Sequence, residues 1–477
     1  NTPTSTIQLS RGLPIALGTR GERFTTTPAW GDGMDKPDNP LHEVQNVFCL
    51  IDLEGSRYVL DRRQIHESLN GEGNHPIHYY KKPEGNLSIE RFLEASDLPL
   101  TSRDVKRLLA DFYRSPLTLE YKGVAFDPEE KSETVLNFWR PHAVVPVKGN
   151  YEIIADFMFE VLCAGSESDY QWLEKFLAHM IQKPWEKPEV AIILLGGQGV
   201  GKGMFYRLLK RVWPYTVLQV HDVDEVVGHF NGGLERNYGV WLDEALFTHD
   251  RKSMGKLKAV ISEEELRINE KFQPRRTIKS HHRIFAASNN EHFGNIAVKD
   301  RRFFILGVSD CHQQDHDYFK QYVGALEDGT SVPAFVHALL NKDITSFNVR
   351  ERPQTKEHGE QKIKSLTGIE RFFHEVLAAG ELPSGHLMRS KIWNGSMRIA
   401  TADLRSIYID VDRNAEKFRT VLNRDITTAV KKMCPSAKPV RWQEDNKQCR
   451  GLVLPSLEDA RKEFDTWIGF PVPWEDC

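Results

Sequence analysis

The sequence predicts an α/β protein whose central domain is built on a parallel β-sheet. One observation is the alternation, from residue 190 onward, of apolar segments of strand length with amphipathic segments of helix length. Another is that the apolar strand VAIILL, at residues 190–195, runs directly into the glycine-rich segment GGQGVGKG, after which a helix begins. We expect an α+β region before this core and a small winged-helix-like domain after it.

Composition narrows the class of protein. Of the 477 residues, 40% are hydrophobic and 27% are charged, which is typical of globular cores and argues against disorder or a fibre. The longest strongly apolar run, residues 190–195, is far shorter than the roughly 20 residues that span a bilayer. We therefore exclude a transmembrane protein and expect no membrane partner. The six cysteines are scattered without CxxC or zinc spacing, which predicts reduced structural thiols in a cytosol.

Changes in composition along the chain predict its domains. Residues 1–46 are rich in Gly, Pro, Thr and Asp without a sustained period, so we expect an irregular arm. Residues 47–140 form the α+β region, which begins with the hairpin VFCLIDLEGSRYVL and contains the amphipathic helix SRDVKRLLADFYRS. Residues 141–346 hold a block of helices and then the parallel-sheet core. A polar linker is expected over 347–366, and the C-terminal domain over 367–477.

The glycine-rich segment matches the phosphate-binding pattern G-x-x-x-x-G-K. Its residues are Gly196, Gly197, Gln198, Gly199, Val200, Gly201 and Lys202, followed by Gly203 and Met204. Glycines let successive backbone N–H groups turn toward one anion, the next helix adds its positive end, and the lysine supplies a point charge to the β- and γ-phosphates. We therefore predict that these nine residues bind ATP. The alternative is a glycine-rich loop without a ligand.

One position departs from the usual pattern. The hydroxyl residue that commonly follows the lysine and ligates Mg²⁺ is Gly203 here. The metal would then depend more on Asp243, on water and on the nucleotide itself.

Two carboxylates end the next apolar strand, YGVWLDE. We predict that Asp243 is the metal ligand, holding Mg²⁺ through its water shell, and that Glu244 polarises the water that attacks the γ-phosphate. A third strand, RIFAAS, ends at Asn289, which we predict to contact the γ-phosphate or the attacking water as a sensor. Solvated acids at a strand end, and a simple turn at SNN, are the alternatives.

Arg301 and Arg302 stand in VKDRRFFIL, just before a further apolar strand. An arginine held at the edge of a subunit can stabilise the transition-state charge on ATP bound by its neighbour. We expect one of the two to act in this way. A pair of surface arginines is the alternative.

A local basic patch is the expected contact for nucleic acid. With 63 basic and 67 acidic residues the net charge is -4, so the chain as a whole has no positive field. The segment LRINEKFQPRRTIKSHH, which we predict to form a hairpin, differs because it combines cations with an aromatic side chain and a turn-forming proline. Backbone phosphates favour the cations and unstacked bases favour the aromatic face. The predicted DNA contacts are Lys271, Phe272, Arg275, Arg276, Lys279 and His281. A solvated charged hairpin is the alternative.

In this order, the motifs resemble the superfamily-3 helicase module of phage and plasmid primase-helicases, an AAA+ motor. The resemblance is carried by LNFWRPHAVVP, HMIQKPWEKPEVAIILLGGQGVGKGMF, HFNGGLERNYGVWLDEA, LKAVISEEELRINEK, FAASNN, DRRFFIL and FNVRERPQTKEHGEQKIKSL. It implies an AAA+ P-loop ATPase core that assembles as a homo-oligomer, a hexameric ring, hydrolyses ATP with Mg²⁺ between subunits, and moves single-stranded or forked DNA through its channel. It also implies a cytoplasmic location in a bacterial host cell.

The resemblance assigns roles residue by residue. Lys202 and the loop glycines would bind phosphates, and Asp243 with Glu244 would form the Walker B pair. Asn289 would be sensor 1, and Arg301 or Arg302 the finger acting on the neighbouring subunit. Family members often carry threonine where this chain has Met204, so the metal-binding detail differs.

Two questions of partner and function stay open at this stage. No paired-carboxylate motif or zinc knuckle precedes residue 47, so a primase or polymerase partner is expected either on another polypeptide or in a segment before Asn1. An alternative function is a replication initiator that melts an origin without translocating, supported by a basic helix predicted over 415–433. A third is a P-loop ATPase that acts on protein.

Overall fold

The computed structural model describes residues 39–70, 77–96, 98–244, 251–289, 293–294, 296–298, 300–383, 391–412, 420–444 and 447–474. The chain divides into two compact units. Unit 1 comprises the residues up to Arg140 together with Glu265–Lys279, and unit 2 comprises Pro141–Glu264 and Ser280–Cys477. Within the described ranges, no helix is both long and apolar enough to cross a membrane.

The helices are α1 (Pro40–Val47), α2 (Arg62–Asn70), α3 (Lys82–Ala95), α4 (Ser102–Arg114), α5 (Glu152–Asp156), α6 (Glu167–Gln182), α7 (Lys202–Val212), α8 (Asp224–Val227), α9 (Arg251–Ser262), α10 (His316–Glu327), α11 (Ser331–Asn341), α12 (Lys356–Lys364), α13 (Ile369–Ala379), α14 (Thr401–Val411), α15 (Asn423–Met433) and α16 (Leu457–Ile468). A π-helical turn spans Phe157–Leu162, and a 3₁₀ turn spans Gly232–Arg236.

The strands are β1 (Phe48–Leu53), β2 (Ser56–Asp61), β3 (Glu120–Tyr121), β4 (Val124–Ala125), β5 (Leu136–Asn137), β6 (Ala191–Leu195), β7 (Val217–Val220), β8 (Gly239–Leu242), β9 (Glu265–Ile268), β10 (Arg276–Lys279), β11 (Arg283–Ser288), β12 (Phe303–Gly307), β13 (Glu381–Leu382), β14 (Lys391–Ile392), β15 (Met397–Ala400), β16 (Lys438–Glu444) and β17 (Lys447–Leu454).

Unit 1 is an α+β structure around a small sheet of order β2-β1-β3. The predicted hairpin is confirmed: β1 and β2 pair antiparallel, and Glu54 and Gly55 turn the chain with φ of 51° and 80°. Positive φ at both positions gives the turn a twist that matches the flanking strands. The predicted amphipathic helix is confirmed as α4, where Thr101 and Asp104 form a capping box.

Helix α1 departs from the irregular arm predicted for residues 1–46. Asn39 caps it, its side-chain oxygen accepting from the Leu41 N–H at 3.0 Å, and Pro40 occupies the first turn. Val44 of this helix is buried in the unit 1 core. The helix has only eight residues, too few for a helical repeat of apolar positions to be recognised in the sequence. The remainder of the predicted arm, residues 1–38, lies outside the described residues.

Unit 2 is built on a five-stranded sheet of order β12-β6-β11-β8-β7, in which every pairing is parallel. This confirms the predicted α/β class with a parallel sheet. All five residues of β6 and all six of β11 are buried, because helices cover the sheet. In a parallel sheet the carboxyl ends of all strands meet at one edge, and β11 lies there between β6 and β8. The predicted helical block before the sheet is also present, as α5, the π turn and α6.

Residues 347–366 contain helix α12, packed against the sheet, where the sequence predicted a linker. Thr355 caps the helix and its hydroxyl donates to the Ile305 carbonyl of β12 at 2.5 Å. The Gln361 side-chain oxygen accepts from the Phe293 N–H at 3.0 Å. The polar composition that suggested a linker instead supplies buried hydrogen bonds.

Helix α12 also contacts the C-terminal part of unit 2. Lys362 is 3% exposed and its Nζ donates to the Ile468 carbonyl, at the end of α16, at 3.0 Å. The Phe470 ring covers Gly359 so closely that a Cβ at that glycine would lie 2.1 Å from ring atom Cγ. Only glycine allows this approach.

The C-terminal part contains α13, α14, α15, the strands β15, β16 and β17, and α16. The antiparallel sheet has the order β15-β17-β16. Its core includes Ile426, Val430 and Met433 of α15. The helix predicted over 415–433 begins only at Asn423, and residues 413–419 lie outside the described residues. The winged-helix interpretation stays a prediction.

Candidate functional site

The glycine-rich loop joins the carboxyl end of β6 to the start of α7. Gly199 and Gly201 have φ of +80° and +103°, which residues with a side chain rarely adopt. Gly201 is also crowded, because a Cβ there would lie 2.9 Å from the Phe319 ring. The loop therefore needs glycine at these positions to turn its backbone into the helix.

Lys202 begins α7 and lies back across the loop. Its Nζ donates to the carbonyls of Gly196 and Gly197 at 2.7 and 2.6 Å. Burial lowers the pKa of Lys202, while the nearby carboxylates of Asp243 and Glu244 act in the opposite direction. The lysine and both acids therefore lie within electrostatic reach of one another.

The acidic pair follows β8 directly. The Asp243 N–H donates to the Val220 carbonyl at 2.9 Å, which continues the pairing with β7 by one residue. The Asp243 carboxylate accepts from the side-chain amide of Gln219 at 2.9 Å. Glu244 has a φ of +52°, a left-handed conformation that costs a non-glycine residue about 1 kcal/mol. The chain thus turns sharply just after the metal-ligand candidate.

Sequence reasoning missed Gln219. It belongs to no motif, and it holds the Asp243 carboxylate from a neighbouring strand that is distant along the chain. The one signal that could have found it is a polar residue within the otherwise apolar strand VLQV.

Asn289 follows β11, between the loop strand and the acidic strand. Its side-chain amide donates to a carboxylate oxygen of Glu244 at 3.5 Å. The neighbouring Asn290 lies outside the described residues. The sheet order thus brings the polar residue predicted as a sensor next to the residue predicted as the base.

One cleft, of about 260 Å³, collects these groups at the carboxyl edge of the sheet. It is lined by Gln198, Gly199, Gly201, Lys202, Gly203, Met204, Asp243, Glu244, Ala287, Asn289 and Phe319. The predicted loop, acidic pair and polar strand end therefore meet in one place. Within the described ranges, no group of three or more His, Cys, Asp or Glu side chains is arranged to hold a metal by itself.

A segment that carries no recognisable motif covers one side of the loop. The Gln313 side chain donates to the Gln198 carbonyl at 2.9 Å, and the Tyr322 hydroxyl donates to the Met204 carbonyl at 3.4 Å. Together with Phe319, these side chains of α10 and the turn before it fix the loop from outside. No local pattern predicts this cover, because it arises from tertiary packing.

Gly203, where the usual pattern has a hydroxyl, faces open space. A Cβ built at this glycine meets no other atom within 4 Å. A serine side chain therefore fits at this position.

Arg301 and Arg302 lie at the opposite edge of the same sheet. They precede β12, whose five residues pair with β6 in parallel register, so about 16 Å of strand separates them from the carboxyl edge. The Arg302 N–H donates to Asp300 at 3.1 Å, and its guanidinium lies 3.7 Å from the same carboxylate. Neither arginine lines the cleft of its own chain.

The predicted hairpin is confirmed as β9 and β10, which pair antiparallel in unit 1. Phe272, at its tip, is 92% exposed and has a φ of +65°. The Lys271 ammonium lies 5.0 Å from the centre of that ring. Arg275 and Lys279 are also exposed. The tip thus presents an aromatic face and several cations to solvent.

Arg276 corrects the prediction for this hairpin. It is 2% exposed, its guanidinium lies 3.0 Å from the Glu270 carboxylate, and it stacks 4.9 Å from the centre of the Tyr79 ring. A buried and paired arginine supports the hairpin and does not face a ligand. His281 is only partly exposed, and its carbonyl accepts from Arg283 at 2.7 Å.

A second group of cations lies near the amino ends of the strands in unit 2. Arg283 is fully buried; it donates to the carbonyls of His281 and Glu186, both at 2.7 Å, and its guanidinium lies 5.0 Å from the Tyr238 ring centre. Burial lowers the pKa of Arg283. This guanidinium is committed to main-chain oxygens.

Lys187 is bound in the same manner. Its Nζ donates to the carbonyls of Val260 and Glu263, at 2.9 and 2.5 Å, and to the Ser280 hydroxyl. Burial lowers the pKa of Lys187 to about 7. His282 extends this hydrogen-bond network, because its ring contacts the Ser280 hydroxyl at 3.0 Å and the Leu234 carbonyl at 2.8 Å. Burial lowers the pKa of His282 to about 3.

Fold and cleft define a mixed α/β protein with a parallel sheet whose carboxyl edge carries a glycine loop, a lysine and two carboxylates. Residues 194–302 match the model of a family of unknown function, DUF5906. The chain is 27% identical over 184 residues to the DNA primase-polymerase of Nitratiruptor phage NrS-1, an alignment that covers 37% of this chain and 25% of the phage protein. It is thus similar to a part, about a quarter, of a phage primase-polymerase.

Solved structures extend the likeness in fold. The apo structure of the NrS-1 C-terminal region, residues 305–718, matches with a TM-score of 0.58 and 17% identity, covering 88% of this chain and all of that one. The A form of the apo C-terminal region matches with a TM-score of 0.59 and 17% identity, over 87% of this chain and all of that one. At this identity the likeness concerns the fold.

Proposed function

We propose that this chain is an ATP-hydrolysing DNA translocase with an AAA+ P-loop core, acting as a helicase in phage DNA replication. The observation that carries the proposal is the meeting of Lys202, Asp243, Glu244 and Asn289 in one cleft at the carboxyl edge of a parallel sheet. Ligands of such sheets bind at this edge. The likeness to a phage primase-polymerase supports the replication context.

The residues of the cleft fit a triphosphate with a divalent cation. Backbone N–H groups of the loop and the start of α7 favour phosphate oxygens, and Lys202 adds a positive charge. Asp243, oriented by Gln219, is the carboxylate that holds Mg²⁺, which when bound neutralises charge on the phosphates. Gly203 contributes no hydroxyl, so the metal would depend on Asp243, on water and on the nucleotide.

Glu244 is the base of the proposed reaction. It accepts a proton from the water whose oxygen forms the new bond to the γ-phosphorus, while the bond from that phosphorus to the bridging oxygen of ADP breaks. Asn289 orients the Glu244 carboxylate through its amide. Lys202 stabilises the negative charge that shifts to the leaving oxygen.

The proposed motor needs more than one copy of the chain. Arg301 and Arg302 stand at the sheet edge away from their own cleft, so an arginine finger has to come from a neighbouring copy, as in a hexameric ring. Single-stranded DNA is proposed to contact the hairpin tip through Phe272, Lys271 and Arg275, where aromatic stacking and phosphate contacts combine.

Strand displacement on forked DNA tests the function. The wild-type protein should displace strands in proportion to ATP consumed. Glu244→Gln should keep ATP binding and lose hydrolysis by about 100-fold or more, because the base is removed while the phosphate contacts stay. The matched control Glu263→Gln, an exposed acid outside the cleft, should retain activity.

Two results would contradict the proposal. Normal turnover by Glu244→Gln would remove the role given to that carboxylate. Local melting that stops without ATP-proportional displacement would instead identify a replication initiator.

A further inference from the structure

The hairpin of β16 and β17 extends beyond the three-stranded sheet to which it belongs. Strand β15 pairs with β17 only opposite residues 451–454. Beyond β15, residues 441–444 and 447–450 pair with each other alone, and the side chains are described at 441–443 and 448–450. We call these six residues the ribbon. A two-stranded ribbon gains little stability by itself in water, so core packing does not determine which side chains it carries.

Two arginines face each other across the ribbon. Arg441 and Arg450 are direct register partners in antiparallel strands, so their Cβ atoms lie about 5 Å apart on the same face. Both are exposed. Among the residues that the structure describes, no carboxylate oxygen lies within 4.0 Å of either guanidinium. Like charges directly opposite each other destabilise a strand pair, and no ion pair with a described residue offsets this repulsion.

The next rung continues the same face. Gln443 and Gln448 are register partners two residues further along, and side chains two residues apart in a strand share a face. Both are exposed. The face therefore presents two guanidinium groups and two amides. The segment 438–450 has four basic and two acidic residues, a net charge of +2, and the two acids, Glu444 and Asp445, come beyond both rungs.

The opposite face of the ribbon is supported by the sheet. Trp442 is only partly exposed, and the Arg398 guanidinium of β15 lies 5.6 Å from its ring centre. This cation–π contact ties the ribbon to the third strand. Arg441 and Arg450 share the face of the buried Leu452, but they lie beyond the end of β15 and are exposed there.

We propose that the ribbon binds duplex DNA by entering its major groove. The major groove of B-DNA, about 12 Å wide, admits a two-stranded ribbon. Arginine recognises guanine edges and phosphates with two parallel hydrogen bonds, and glutamine does the same with adenine. An acceptor between Arg441 and Arg450 replaces their repulsion with charge-assisted hydrogen bonds. This duplex contact is additional to the single-stranded contact of the proposed function and does not depend on ATP hydrolysis.

Helix α15 is the competing surface in this part of the chain. Its Lys432 lies 2.9 Å from the Glu370 carboxylate and 5.3 Å from the Trp467 ring centre, so this cation already has partners. Arg424 and Lys431 of the helix are exposed. The ribbon differs because its cations repel each other until an anion binds, and this favours the ribbon as the duplex contact.

The test compares three double variants of the full chain, each of which loses two positive charges. R441Q/R450Q alters the ribbon, R424Q/K431Q alters α15, and R103Q/R107Q alters α4 as the control. Fluorescence anisotropy measures binding to a short DNA duplex, to one of its single strands, and to an RNA duplex of the same sequence. Each titration is repeated over a series of salt concentrations without nucleotide.

For R441Q/R450Q, the dissociation constant for the DNA duplex should rise about tenfold or more, and the salt slope should fall by about 1.8 as two phosphate contacts are lost. Single-strand affinity should change by less than about twofold, as should every affinity of the α4 control. The RNA duplex should bind more weakly than the DNA duplex, because its major groove is too deep and narrow for side chains to enter. The unfolding temperature of R441Q/R450Q should equal or exceed that of the wild type.

Several results would overturn the proposal. Unchanged duplex affinity would assign the face to another acidic partner, such as a protein segment. An equal loss of affinity for the single strand and for the duplex would mean that the arginines act only through general electrostatic attraction. A larger loss of duplex affinity in R424Q/K431Q would assign the duplex contact to α15. A lower unfolding temperature of R441Q/R450Q would mean that the arginines support the fold. Failed ATP hydrolysis by the wild type would refute the proposed function and leave these binding results interpretable.

Discussion

The two edges of the parallel sheet in unit 2 carry similar charged residues and use them in opposite ways. At the carboxyl edge, Lys202, Asp243 and Glu244 line a cleft. Near the amino edge, Arg283 and Lys187 are buried and donate to main-chain oxygens. Lys202 also donates to main-chain oxygens, but it lines the cleft together with the two acids and can reach a ligand there, whereas Arg283 and Lys187 do not line the cleft. Substitution of a charge that supports the fold should change stability, and substitution of a charge in the cleft should change ligand affinity.

The largest effect is expected from Arg283→Met, which leaves buried carbonyl oxygens without their donor. The free energy of unfolding should fall by about 3 kcal/mol, since each unsatisfied group costs roughly 1 kcal/mol or more. Denaturant unfolding measures this. Arg301→Met, an exposed arginine near the same edge, should change stability by less than about 0.5 kcal/mol. Equal losses of unfolding free energy in the two variants would mean that the buried arginine supports the fold no more than the exposed one does.

Lys202→Ala should change ligand affinity and leave the fold stable. ATP binding, measured by calorimetry, should weaken about 100-fold, or nearly 3 kcal/mol, because the charge that pairs with the phosphates is lost. Lys256→Ala, an exposed lysine of α9, serves as the control and should bind normally. A large loss of unfolding free energy in Lys202→Ala would mean that this lysine supports the fold, as Arg283 is expected to do.

Lys187 should make stability depend on pH. Its pKa is about 7 in the folded chain, below the ordinary value of 10.5, so between these values the unfolded chain binds more protons. The contribution of Lys187 to stability should therefore be lowest below pH 7 and rise with pH, by up to about 2 kcal/mol between pH 7 and 9. Unfolding across this range should show the rise in the wild type and lack it in Lys187→Met. Parallel pH profiles would mean that Lys187 stays charged on its three oxygen acceptors.

The smallest effect is expected at Gly203, where the cleft has room for a side chain. Gly203→Ser should place a hydroxyl where the usual loop pattern has one and lower the Mg²⁺ concentration for half-maximal hydrolysis about threefold. Gly203→Ala adds the Cβ without the hydroxyl and is the matched control. If both variants respond alike, the change reflects helix stability and not a metal ligand.

Sequence reasoning found the carboxyl edge because its chemistry is local. A phosphate loop needs glycines and lysine in a fixed order, and Asp243 and Glu244 stand at the end of an apolar strand. Parallel strands then bring these ends together, so the position of Asn289 beside the acidic pair follows from the sequence. Gln219 and the cover over the loop could not, since both depend on which distant segments pack there.

The same reasoning failed where burial decides the role of a charge. Arg275 and Arg276 are adjacent in sequence, yet one is exposed and the other is 2% exposed beside Glu270. The polar sequence of α12 suggested a linker in the same way. Composition alone does not reveal that Thr355 and Gln361 have buried hydrogen-bond partners. A polar residue predicts a solvent-exposed position only when the fold gives it no buried hydrogen-bond partner.

Helix α12 has a mechanical consequence for unit 2. Gln361 and Ser365 bind the backbone at Phe293 and Ile296, in the stretch that follows the strand of Asn289. Three residues before Ser365, Lys362 donates to the Ile468 carbonyl at the end of α16. The Ser365 hydroxyl also contacts the Gly294 carbonyl at 3.2 Å, so a shift of that stretch must either break these three hydrogen bonds or carry the helix with it. Close packing transmits such displacements instead of absorbing them, so motion near the cleft would be delivered to the domain that bears the ribbon.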